Sequence, residues 1–218
     1  MDDIVKQALA KWPNVPDCYG WLGLDARGNW YMRDDRVQAA GPFANPLAGG
    51  SLQSKGSMLK HEKLIDFIQR NYESDALGRW FFQNGPQKVY VELEATPWIW
   101  RIGRRSSGDT NHDSNSESTR DSTQNPMGEA NPASTDAFEV AAHDGRAAVV
   151  QRCVLDEHGR VYLQADIGFG LVHTQDVALA ADAVEAGVWV PQDMIASELP
   201  QHFGYVTSPQ LQHTNASQ

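Results

Sequence analysis

Glu92 and Glu94 are the residues of this chain whose type and spacing first suggest chemistry. They alternate with Val91 and Leu93 and share a strand face with Tyr90, which sets the two side chains roughly 7 Å apart. Carboxylates at that separation can divide acid and base work on a glycosidic substrate. Trp80, Trp98 and Trp100 lie nearby in sequence and would suit a sugar platform. The same alternation, however, describes any strand with one wet face, and that is the simpler account. His173 with Asp176 makes a fragment of an acid–base site, although Thr174 and Asp176 equally suit the start of a helix.

A second group is basic. Lys55, Lys60, His61 and Lys63 crowd the start of an expected helix, where cations oppose the helix dipole unless an anion is bound. The segment Gly50–Ser57 has the glycine, lysine and serine of a phosphate loop. Lys55 and Gly56 stand in the wrong order for one, and no strand precedes them. A solvated basic helix end is the plainer reading.

Trp21, Trp30 and Trp80 form a third group, and six of the seven tryptophans precede residue 104. An exposed cluster of them would be a ligand or protein surface, whereas core packing is the ordinary fate of large aromatics. His61, His143, His158, His173 and His202 show neither His-x-His nor His-x₃-His spacing, and no Cys-x-x-Cys accompanies them. No Gly-x-Ser-x-Gly elbow is present, and neither Cys18 nor Cys153 has a legible histidine partner. Neither a metal nor a cofactor is expected.

Charge narrows the partners. The formal net charge is −10, yet residues 1–103 carry 12 basic and 12 acidic side chains, so the excess lies beyond them. Such a charge repels a phosphate backbone, and no basic stripe offsets it, which argues against nucleic acid. The chain opens without a basic leader and has no apolar run long enough for a signal peptide or a membrane span. Two cysteines without spacing signature read as free thiols. A soluble cytoplasmic protein is expected.

The elements that must position these groups are punctuated by a phrase used three times. It occurs at Asp25–Arg33, Asp75–Gln83 and Asp156–Gln164, each with Asp, a glycine three residues on, and then aromatic or β-branched residues. Asp opening a turn and glycine taking positive φ describe a tight turn feeding a strand. The copies are spaced like propeller blades once residues 104–136 are removed. The first and third copies follow strand-like runs, but the second follows a helical pattern over Ser57–Tyr72, which argues for a reused turn.

Residues 104–136 contain no aromatic residue and no Val, Ile or Leu, so burial cannot offset their ordering entropy. They are expected to be a disordered polar insertion between an aromatic-rich α+β part (1–103) and a β-meander with C-terminal helices (137–208). The two parts are read as one unit, with a disordered tail at 209–218. Val177–Ala186 reads as a helix, and Pro191 would open a last short one. The fold class is therefore α+β: antiparallel hairpins and a meander of about seven to nine strands, packed with three or four helices, and not a propeller.

Several segments resemble an uncharacterised, mainly proteobacterial protein family of unknown function. They are Lys60–Leu64, Phe67–Tyr72 and Gly78–Gln87, with Tyr19–Asp25, Gly170–Thr174, Glu198–Pro200 and Phe203–Val206. The resemblance implies a bacterial source and one coherent unit, and supplies no catalytic residue. Two functions follow. The first is a non-enzymatic binding module that meets a protein partner or small ligand through its aromatic-rich N-terminal half. The alternative is a small enzyme acting on a phosphorylated or sugar-like molecule, with Glu92, Glu94 and His173 as its acid–base groups.

Overall fold

The computed structural model describes residues 1–43, 51–105 and 137–216. The polar stretch 106–136, where disorder was expected, lies outside the described residues.

In chain order the first sheet is built from β1 (Cys18–Leu24), β2 (Trp30–Met32), β3 (Ser57–Met58), β4 (Tyr72–Ser74), β5 (Trp80–Asn84) and β6 (Gln87–Leu93). The second contains β7 (Trp98–Arg104), β8 (Phe138–Ala142), β9 (Ala147–Ala148), β10 (Val150–Asp156), β11 (Val161–Ala165), β12 (Gly168–Val172) and β13 (Pro191–Met194). The helices are α1 (Asp3–Lys11), α2 (Asp35–Ala39), α3 (Glu62–Arg70), α4 (Val177–Glu185), α5 (Leu199–His202) and α6 (Pro209–Ala216). The α+β class holds, with 13 strands and six helices among the described residues rather than seven to nine and three or four. Apart from α6, the added elements are two to five residues long, too short for a periodicity to register.

Strand order is β3-β2-β1-β6-β5-β4 in the first sheet and β13-β10-β11-β12-β7-β8-β9 in the second. Both are mixed: β1 runs parallel to β6, and β7 parallel to β12. Six strands of each sheet therefore share one connectivity, with the last strand of the second trio laid parallel beside the first strand of the first trio. One buried cluster runs through both sheets, from Leu22 and Trp30 through Trp100 and Val140 to Tyr205. No helix among the described residues is long and apolar enough to cross a membrane.

The repeated phrase makes the same turn each time. Asp25, Asp75 and Asp156 each accept, through one carboxylate oxygen, the backbone N–H groups two and four residues ahead. The other oxygen takes the side chain of Asn29, Arg79 or Arg160. A fourth turn has the same backbone pattern without the leading Asp: Ala142 pairs with Arg146, and Asp144 supplies the carboxylate. Gly78 has φ +75°, and a Cβ there would collide with the Gly204 carbonyl oxygen. Asp156 is 5% exposed, and its carboxylate also accepts the hydroxyl of buried Tyr162 at 2.9 Å. Asp156→Ala is expected to cost about 2 kcal/mol, because it strands that hydroxyl and two turn N–H groups. A denaturant midpoint lowered at unchanged slope would show it; an unshifted midpoint would refute it.

Four sequence expectations are corrected. The helix read over Ser57–Tyr72 is only α3, because Met58 pairs with Tyr31 and Tyr72 with Phe82. A strand therefore precedes the second phrase too, and the contrast in flanks disappears. Pro191 opens β13, at a sheet edge where its missing N–H is harmless, instead of a helix. The expected tail from residue 209 forms α6, docked on β1 and β6. Arg104, placed in the insertion, ends β7 opposite Phe138.

Candidate functional site

The structure separates the two glutamates. Glu92 is 1% exposed, and its face of β6, expected to be wet, is covered by α6. Its carboxylate accepts the Ser208 hydroxyl at 2.5 Å and the Gln210 N–H at 3.0 Å, so it holds the N-terminus of α6. Burial raises its pKa, while those two hydrogen bonds and the Arg33 charge act against the rise. Glu94 turns elsewhere. Its Oε2 accepts Lys55 Nζ at 2.9 Å and the Ala26 N–H at 3.2 Å, and Lys55 Nζ also lies 3.2 Å from Asp25 Oδ2. Burial works against the Lys55 charge, but the Glu94 hydrogen bond and the Asp25 charge outweigh it, and its pKa rises.

The remaining candidates scatter. His173 is 8% exposed, and its Nδ1 accepts the Gln175 N–H at 3.1 Å. Its neighbour Asp176 is bound instead by Arg101 Nε at 2.6 Å and by the Ile102 N–H. That fragment is a helix entry. Lys55, placed with Lys60 and His61 on sequence, leaves them for the Asp25–Glu94 cluster. Lys60 is exposed, and His61 caps α3 through an Nδ1 that accepts the Leu64 N–H at 3.3 Å. Trp30 is 1% exposed and packs edge-on to Tyr72, and Trp80 packs against Tyr72 and Trp98. Trp21 is the most exposed of the three tryptophans, and Trp80 is half-buried.

Trp21 borders a groove of about 270 Å³ between α3 and the first sheet. β1 presents Cys18, Trp21 and Leu22, β2 adds Met32, and β5 and β6 add Phe82 and Val89. The opposite wall is Leu64, Phe67 and Ile68 of α3, one apolar stripe at three- and four-residue spacing. Phe67 is fixed edge-on against Phe82, which leaves Leu64 at the rim. Asn84 is the single amide in the lining.

A second cavity, about 150 Å³, opens where the third turn meets the link from β6 to β7. Glu94, His158, Arg160, Tyr162, Tyr205 and Thr207 converge on it from separate elements, over a floor of Ala196, Leu199 and Pro200. Sequence reasoning found Glu94 and missed the rest. His158 and Arg160 sit inside the third phrase, where they read as turn residues, and Tyr205 arrives from far along the chain. Among the described residues no three His, Cys, Asp or Glu side chains gather as a metal site.

A family model described as "Protein of unknown function (DUF2946)" matches residues 1–210. No curated protein matches the chain. Among solved structures, a DUF1285 family protein from Silicibacter pomeroyi DSS-3 is similar at 12% sequence identity. The match covers 84% of each chain with a TM-score of 0.44.

Proposed function

The chain belongs to the family described as "Protein of unknown function (DUF2946)", and we propose that it is a binding module that takes a compact apolar ligand in the groove beside α3. The observation that carries this is the rim. Trp21, Met32 and Leu64 are 37%, 44% and 38% exposed and border one cavity. Single exposed apolar residues are ordinary, whereas three around a shared concavity mark a recognition surface. Water in such a lining has too few polar partners, so an apolar occupant gains by displacing it. The Asn84 amide, without a side-chain partner among the described residues, offers one orienting hydrogen bond.

The enzyme alternative has less support. Glu92, Glu94 and His173 are each engaged in separate structural bonds. A bacterial cytoplasm suits the module, since Cys18 and Cys153 are free thiols that a reducing compartment would preserve. Recovery of the protein from an oxidising compartment would argue against that setting.

The test is a titration with anilinonaphthalene sulfonate, an apolar fluorescent probe. The native protein is expected to bind it at one site. Leu64→Glu is expected to weaken binding at least about tenfold by placing a charge in the groove, with little change in melting temperature because Leu64 is already half open. Equal binding by the two proteins would overturn the proposal.

A further inference from the structure

We propose that the cavity bounded by Glu94, Arg160 and Tyr205 is a second binding site, for a small carboxylate that also carries a hydroxyl or ammonium group. The site is independent of the apolar groove: the two cavities share no lining residue.

Its polar groups are held in place and left unfinished. Arg160, whose side chain is 41% exposed, donates from Nε to Asp156 Oδ2 at 2.7 Å, which ties the guanidinium to the third turn. Its two outer nitrogens have no partner among the described residues and remain free to donate as a pair. Tyr205 is 6% exposed, and its hydroxyl likewise has no hydrogen-bond partner among the described residues. The ring is buried while the hydroxyl is not sealed within the protein, so it can donate to an acceptor seated in the cavity that Tyr205 lines. Arg160, Tyr162 and Tyr205 all line this cavity.

Glu94 supplies the opposite requirement. Its Oε2 is taken by Lys55 and Ala26, and Oε1 has no partner among the described residues. A ligand seated here must offer an acceptor group to Arg160 and Tyr205 and a donor to Glu94. The cavity is only about 150 Å³, so the molecule is small. Its carbon skeleton would rest on Leu199, Pro200 and Ala196. A doubly charged phosphate is disfavoured, because one guanidinium, already shared with Asp156, faces it while Glu94 repels it. A carboxylate of single charge fits that balance.

Lactate and serine are the probes, with propionate as the acid lacking a donor and inorganic phosphate as the dianion, all followed by calorimetry and by melting shift. Lactate or serine is expected to bind, with propionate and phosphate each about tenfold weaker. Tyr205→Phe removes a hydroxyl that bonds no described residue of the free protein. It is expected to keep the parent melting temperature and to weaken the better probe about tenfold. Glu94→Gln is expected to erase the preference for lactate or serine over propionate, and Leu64→Glu to leave all binding here unchanged. Absence of binding by both lactate and serine at tens of millimolar would overturn the assignment. So would binding that is indifferent to Tyr205→Phe and Glu94→Gln.

Discussion

Arg33→Met is expected to lower the melting temperature on the order of 10 °C. Arg33 is 0% exposed and is among the largest fully buried side chains of the described residues. Its guanidinium donates to three carbonyls from three stretches of chain: Ser54 O at 2.9 Å, Gly20 O at 2.9 Å and Gly41 O at 2.7 Å. Gln210 Oε1 of α6 stands at 3.5 Å, and Glu92 is near enough for its charge to act on Arg33. Methionine fills similar volume but leaves the three carbonyls unpaired and Glu92 without a nearby cation. Breaking a buried charged arrangement of this kind costs about 3–5 kcal/mol. For a chain of this size each kcal/mol shifts melting by about 2–4 °C. Arg33→Lys should recover little, since one ammonium on a flexible stem cannot reach three carbonyls in divergent directions. Thermal unfolding of the three proteins decides it: a fall of less than about 2 °C for Arg33→Met would show that the guanidinium is incidental.

The second large effect is on pH. His143 packs between Trp30 and Trp98, with ring centroids 5.9 and 5.7 Å away. Its Nδ1 accepts the Ile99 N–H at 3.4 Å, while Nε2 is sealed from solvent without a partner, even though part of the residue reaches the surface. Burial, reinforced by the Arg146 charge and opposed by Asp144 and Asp25, pushes its pKa down from 6.5 to about 4. As pH falls through 6.5 the unfolded chain takes the proton and the folded chain does not. The stability from the neutral ring is therefore complete above pH 6.5 and is lost progressively until the folded form titrates near pH 4. At 1.36 kcal/mol per unit the loss approaches about 3 kcal/mol as an upper figure.

Other groups can be separated from this effect. The lowered carboxyls of Asp25, Asp75, Asp156 and Asp176 start from 3.8 and act below that window. Glu92, raised from 4.5 by burial, acts in the opposite sense at its lower end. His173, also lowered chiefly by burial, adds to the loss in the same sense. Guanidinium unfolding at several pH values should show stability falling between pH 6.5 and 4.5. In His143→Leu that slope should be largely absent, whatever the variant's stability at neutral pH. A variant that keeps the parent slope would remove His143 as the cause.

What could be read in the sequence follows the range of the interactions. The turns at Asp25, Asp75 and Asp156 close through bonds to residues two and four ahead, so the phrase carried their whole chemistry. The alternation over β6 likewise located a strand. Its wet face could not be read, because the element that covers it lies 116 residues away at Ser208. The helical pattern over Ser57–Tyr72 was overextended for a related reason: Met58 and Tyr72 satisfy strand pairing to Tyr31 and Phe82, which no local periodicity records.

The sequence by itself determined the α+β class, most strand positions, the acidic balance and the tight turns, since these depend on propensities and contacts within a few residues. Tertiary structure alone decided what the polar groups do. Glu92 and Glu94 are two residues apart in the chain, yet one anchors α6 and the other faces a cavity with Arg160 and Tyr205. Burial and pairing at long sequence separation assign those roles. A carboxylate's chemistry is set by what covers it, and the covering segments arrive only when the chain has folded.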